Sequence, residues 1–147
     1  MTLSDSPSVI APSVAVNDPA GDPVDGADRT AVALTCAASA GVHLALVPPH
    51  YAEAGLPLAV AFSLSAIALA VGALLLRRPP TTPWTGALPP LVLAGVAAGY
   101  LFSRTSGIPL LIAEPEPFEV LGLITTAAEV IAAAAAVWLL LNRKEHR

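Results

Sequence analysis

Four long apolar runs, separated by short stretches dense in proline, glycine and charge, dominate the pattern of this chain: Ala31–Val47, Leu56–Leu76, Ala87–Ser103 and Val120–Leu141. None carries Arg or Lys in its interior. Each approaches the roughly 17–25 residues that an α-helix needs to cross the hydrocarbon core of a bilayer. Pro89 and Pro90, near the start of the third run, are expected to shorten or tilt it. The connectors are short, and short links between long helices make antiparallel neighbours. The pattern therefore predicts an all-α protein, an antiparallel four-helix transmembrane bundle spanning residues 29–147. Pro48-Pro49 are expected to end the first helix, leaving 48–55 and 104–119 as connectors on one face.

Residues 1–28 break this pattern. They consist largely of Ser, Pro, Ala, Gly and Asp, with Asp5, Asp18, Asp22, Asp25 and Asp28 and no aromatic residue. Such a segment cannot bury enough apolar surface to offset its ordering entropy, so a disordered acidic tail is expected. It also lacks the basic start and apolar core of a cleavable signal.

Composition agrees with the periodicity. Of the 147 residues, 55% are hydrophobic and only 12% charged, against about 25% charged in an ordinary soluble domain; the mean hydropathy is +0.71. The net charge of −4 matters less than where the charges lie. Six of the seven basic residues (Arg29, Arg77, Arg78, Arg143, Lys144 and Arg147) fall on the side holding both termini and the middle loop, and only Arg104 falls opposite. The positive-inside rule then places the protein in the plasma membrane as a multi-pass protein with both termini cytoplasmic. Trp84 and Trp138 would lie near the cytoplasmic interface, where amphipathic rings settle.

Small residues mark the helix faces. Gly95-x-x-x-Gly99 in the third run and Ala132–Ala136 in the fourth would let helix backbones approach closely. Packing within the bundle is the simpler reading, and a homo-oligomer through Gly95 and Gly99 the alternative.

The candidate chemistry is sparse. His50 and Glu53 in one outer connector face Arg104 and Glu114 in the other, with His43 just inside the first span. Imidazole and carboxylate together suit a divalent transition metal, so His43, His50 and Glu53 are candidate ligands. The plainer reading is a solvated polar cluster pairing with Arg104. Inside the membrane, Glu129 is costly enough to face the bundle in its protonated form. Thr125 lies one turn away on its face; Cys36 and Ser39 of the first span lie at similar depths, suggesting a polar seam. That seam suits structural hydrogen bonds between helices or, alternatively, a proton relay.

Other classes, a membrane enzyme among them, find little support in the motifs. A lone Cys36 rules out an intrachain disulfide, and the phosphate loops, nucleophile elbows, metalloprotease motifs and basic aromatic patches of enzymes and nucleic-acid binders are missing. A non-enzymatic accessory subunit of a larger membrane complex, or a small-ligand binder at the extracytoplasmic face, is expected, without cofactor or nucleic acid. The alternative is a metal-handling or proton-coupled protein using His43, His50, Glu53 and Glu129.

The stretch His43-Leu-Ala-Leu-Val-Pro-Pro-His50-Tyr-Ala-Glu53, with Arg104-Thr-Ser-Gly-Ile-Pro109 and Glu114-Pro-Glu116, resembles an uncharacterised group of small four-span membrane proteins of actinobacteria. The resemblance covers residues 30–141. It implies the same topology and draws attention to His43, His50, Glu53 and Arg104, but implies no activity. In that group an acidic residue tends to precede the second histidine, where this chain has Pro49.

Overall fold

A computed structural model describes residues 23–78, 82–108 and 114–142. They form four helices: α1 Pro23–Ala54, α2 Leu56–Leu76, α3 Pro83–Thr105 and α4 Val120–Asn142, with no strand among the described residues. Each is long and apolar enough to cross a membrane. Residues 1–22, the bulk of the expected tail, lie outside the described residues. Residues 23–28, expected to belong to that tail, instead form the first turns of α1. Proline suits the first position of a helix, where its missing N–H has no partner to lose. Thr30 Oγ1 donates to the Gly26 carbonyl at 2.8 Å. Arg29 Nη2 donates to the carbonyls of Leu76, at 3.1 Å, and of Arg78. A cation on the exposed carbonyls at the C-terminus of α2 is favoured by the helix dipole.

At its other end, α1 does not stop at Pro48-Pro49 as expected but continues to Ala54. Each proline removes one backbone N–H, here the partners of the Leu44 and Ala45 carbonyls, and membrane helices accommodate such losses. The break is at Gly55, with φ 79° and ψ −163°, a backbone region essentially open to glycine alone. One residue therefore reverses the chain, and Pro57 in the first turn of α2 resumes the helix. Pro89 and Pro90 likewise lie within α3. That helix begins earlier than expected because Thr82 and Thr85 form a reciprocal cap: Thr85 N donates to Thr82 Oγ1 at 3.3 Å and Thr82 N to Thr85 Oγ1 at 3.2 Å.

The helices form a ring in which each packs on two neighbours: α1 on α2, α2 on α3, α3 on α4 and α4 on α1. Neighbours run antiparallel. Arg29, early in α1, meets the end of α2, whereas His50, late in α1, meets Phe62 near the start of α2. One end of the bundle carries Arg29, Arg77 and Arg78; the other is the Gly55 end. Toward the basic end, Val32, Cys36, Leu69, Ala73, Leu93, Ala132 and Ala136 close into a tight core. Gly72 faces Pro89 there, a Cβ at Gly72 falling 3.8 Å from Pro89 Cα. Many of the larger side chains point outward: Leu34, Leu44, Leu64, Ile67, Leu91, Ile124, Ile131 and Trp138 are all more than half exposed. Small residues inward and large apolar ones outward is the arrangement that lipid, itself apolar, permits and water does not.

A candidate ligand cavity

Toward the Gly55 end the four helices enclose a cavity of about 460 Å³, within the range of small-molecule sites. Its wall is mostly aliphatic, and a few polar side chains are placed at defined levels.

α1 contributes His43 and His50, two turns apart on one face. Each ring is held against its own helix: His43 Nδ1 lies 2.9 Å from the Ser39 carbonyl and His50 Nδ1 2.9 Å from the Leu46 carbonyl. A carbonyl can only accept, so Nδ1 donates in both, which leaves Nε2 as the nitrogen that carries the lone pair whenever the ring is neutral. Phe62 of α2 packs against both imidazoles, with ring centroids 5.5 Å and 4.1 Å away.

α3 contributes Tyr100, Ser103 and Arg104. The helix ends at Ser106, and Gly107, at φ 70°, turns the chain in the left-handed conformation common after helix ends. Ahead of α4, the backbone at Glu116 is held on the end of α3, Glu116 N donating to the Ser103 carbonyl at 3.1 Å. Glu116 Oε2 thereby reaches Arg104 Nη1 at 2.7 Å. The guanidinium also stands 5.0 Å from the centre of the Tyr100 ring, a cation–π arrangement. Tyr100 Oη donates to the Glu119 carbonyl at 3.3 Å, and the ring lies directly on Gly122 of α4: a Cβ there would fall 2.6 Å from Tyr100 Cζ and Oη. The Arg104 side chain is only 8% exposed, yet its Nε has no hydrogen-bond partner among the described residues.

α4 supplies the floor. Glu129, 1% exposed, accepts a hydrogen bond from Ser39 Oγ of α1. Buried Thr126 lies one turn before it, and Thr125 lines the wall while donating to its own Leu121 carbonyl at 2.9 Å. Beneath this floor Cys36 is buried in the core cluster.

Of the residues singled out from sequence, His43, His50, Arg104, Thr125 and Glu129 line one cavity and Ser39 ties its floor. Glu53 and Glu114 are exposed and outside its lining. The metal reading is corrected: no three His, Cys, Asp or Glu side chains among the described residues could hold an ion. Because α1 continues through Pro48-Pro49, His43 and His50 stay about 10 Å apart along a rigid helix, and Glu53 cannot turn back over them. Gly95 and Gly99 are also corrected: a Cβ at either would meet nothing within 4 Å. They line the cavity and leave space in it rather than bringing two helices of the bundle together.

Phe62, Tyr100, Thr126 and Gly122 were not singled out from sequence, and Glu116, noted there beside Glu114, proves to be the carboxylate that pairs with Arg104. Tyr100 precedes Arg104 by one turn and Thr126 precedes Glu129 by three residues, so helical spacing from the two recognised charges would have found both. No family model matches this chain, and no curated protein or solved structure matches it.

Proposed function

We propose that this chain is a four-span membrane protein with both termini cytoplasmic, whose outer half holds a binding cavity for a small ligand. Composition and the outward-facing leucines support the membrane setting. The distribution of Arg and Lys supports the orientation, which puts the Gly55 end outside.

One observation carries the binding reading: the cavity is graded from a charged rim to a polar floor and then sealed. Arg104, Glu116 and His50 stand near the rim, and Glu129 closes the floor nine residues into α4, about 14 Å deeper. The packed cluster around Leu69 and Leu93, both fully buried, fills the bundle below. A conduit would need polar groups continuing through that half, so the arrangement favours a receptor for a ligand over a path across the membrane.

Two measurements test this. In a Cys36→Ala background, a cysteine at Ser65, on the cavity wall, is expected to react with N-ethylmaleimide, while one at Ala132 in the core is not; equal protection of both would remove the cavity. A cysteine at Ala52 is expected to react with an impermeant reagent in intact cells and one at Thr82 is not. The reverse pattern would invert the topology.

A further inference from the structure

The helices around the cavity do not meet at the same levels. α1 and α2 are joined by the imidazole–Phe62 contacts, α3 and α4 by Tyr100 on Gly122, and α1 and α4 by Ser39 on Glu129. α2 and α3 instead touch toward the basic end, at Gly72 and Pro89. Farther out, Leu64, Ser65 and Ala68 of α2 and Gly95 and Gly99 of α3 line the same cavity. There the two glycines meet no atom that a Cβ would touch, Gly95 is exposed and Leu64 is 61% exposed. Two helices in contact at one end and separated by a cavity at the other leave a lateral gap at the level of Gly95. In a membrane-spanning bundle that gap faces acyl chains, not water.

The polar groups define what can be held behind it. Arg104 is already neutralised by Glu116, and Glu119 adds a further carboxylate to the lining. An anionic head would therefore meet no uncompensated positive charge. What the protein leaves unfilled is uncharged hydrogen-bonding capacity. Arg104 keeps N–H donors beyond the one given to Glu116, its Nε lacking any acceptor among the described residues. His43 and His50 keep Nε2 lone pairs, which accept from a hydroxyl.

Resting on the cavity reading above, we infer that the ligand is an uncharged membrane amphiphile, one apolar chain with a hydroxyl- or carbonyl-bearing head, admitted sideways between α2 and α3. Its head lies between Arg104 and the two histidines and its chain lies along Gly95 and Gly99 in the gap. The glycines are then the feature that admits a chain, since any larger side chain there would occupy its path.

The test uses the full-length protein in mild detergent, with 1-monooleoylglycerol and oleate as probes in mildly alkaline buffer and native mass spectrometry as readout. The wild type is expected to hold one monooleoylglycerol and to bind oleate roughly tenfold more weakly, a difference of about 1.4 kcal/mol. Gly95→Phe at the rim of the gap and Gly99→Leu in its wall are each expected to lower monooleoylglycerol occupancy by roughly tenfold with the unfolding midpoint unchanged. Ala94→Phe, on the exposed side of α3 outside the lining, should leave occupancy as in the wild type. Oleate binding as tightly as the neutral lipid, or full occupancy in Gly95→Phe, overturns the inference. A co-purified water-soluble ligand displaced by Gly99→Leu, with no lipid bound, overturns it too but leaves the cavity reading standing. An unreactive cysteine at Ser65 together with the absence of any bound molecule removes both.

Discussion

The hydrogen bond from Ser39 to Glu129 joins two helices that are far apart in sequence, and its removal has a calculable consequence. Ser39→Ala deletes the donor and leaves a buried carboxyl short of a partner; an unsatisfied buried polar group costs about 1–3 kcal/mol in a water-soluble protein. In a bilayer the figure falls, because the separated helices also find partners, and measured couplings between membrane helices average about 0.6 kcal/mol with a maximum near 1.7. Glu129 borders the cavity, where water can partly replace Ser39. A coupling of about 1 kcal/mol is therefore expected, roughly a fivefold change in the folded-to-unfolded ratio. Glu129→Gln keeps an oxygen that accepts from Ser39 and should cost a fraction of that. Glu129→Leu removes the acceptor, but the Ser39 hydroxyl can then bond its own helix, so Ser39→Ala with Glu129→Leu should be little worse than the poorer single variant. Reversible unfolding in mixed micelles of increasing SDS content, followed by far-UV ellipticity, gives all four corners of the cycle. Additive losses, or a glutamine variant as damaged as the leucine one, would refute the interhelical bond.

Gly55→Ala is expected to lower stability by about 1–3 kcal/mol, because the backbone at Gly55 lies where a Cβ is strained; an unchanged SDS midpoint would mean that the α1–α2 turn adapts freely. Gly122→Ala drives a methyl into the Tyr100 ring and should cost about 1–3 kcal/mol as overpacking. Adding Tyr100→Ala should recover much of that loss, and failure to do so would place the strain elsewhere. Arg104→Lys retains a cation but loses the planar group that stacks on Tyr100 and reaches Glu116. Faster amide hydrogen exchange across residues 114–119 is the expected result, and unchanged exchange would show that the connector is held by other contacts.

The four helices were legible from hydropathy because membrane spans announce themselves by length and by the absence of charge. α2 and α4 came out within one residue of their observed bounds, since Gly55, Arg77 and the proline-rich stretch before Val120 mark changes in backbone or solvent. α1 and α3 were read too short. Proline pairs look like stops when judged by soluble-helix costs, yet each proline removes a single N–H from a helix whose other bonds have no water to exchange with. Glycine, not proline, ends α1, and a positive φ cannot be distinguished in sequence from the other glycines of the chain. The polar residues of the cavity were visible one by one, because His43, Arg104 and Glu129 are anomalies in apolar surroundings. Their aromatic neighbours were not, because whether Phe62 or Tyr100 faces inward depends on how the helices are rotated against one another. Glu116 rather than Glu114 pairs with Arg104 because it is Glu116 N that is held on the Ser103 carbonyl, and a shift of two residues in that register would exchange the carboxylates.

Why a cavity exists at one end and a core at the other follows from the inward-facing residues. Helices in lipid gain nothing from burying leucine against leucine beyond what acyl chains offer, so they associate where small side chains let surfaces meet. Near the basic end the small groups face something that fills them: Gly72 lies against Pro89, Ala73 and Ala136 share a cluster with Leu69 and Leu93, and Cys36 fills the remaining space. Near the Gly55 end, Gly95 and Gly99 of α3 and Ser65 and Ala68 of α2 line the same cavity, and such small residues leave its volume empty. Larger residues would take up that space, and a Cβ at position 99 meets no atom within 4 Å. An empty space of about 460 Å³ between helices forfeits contacts that its walls would otherwise make. Such a cost is recovered when another molecule supplies those contacts, and on the reading proposed above that molecule enters from the surrounding lipid at the level of Gly95.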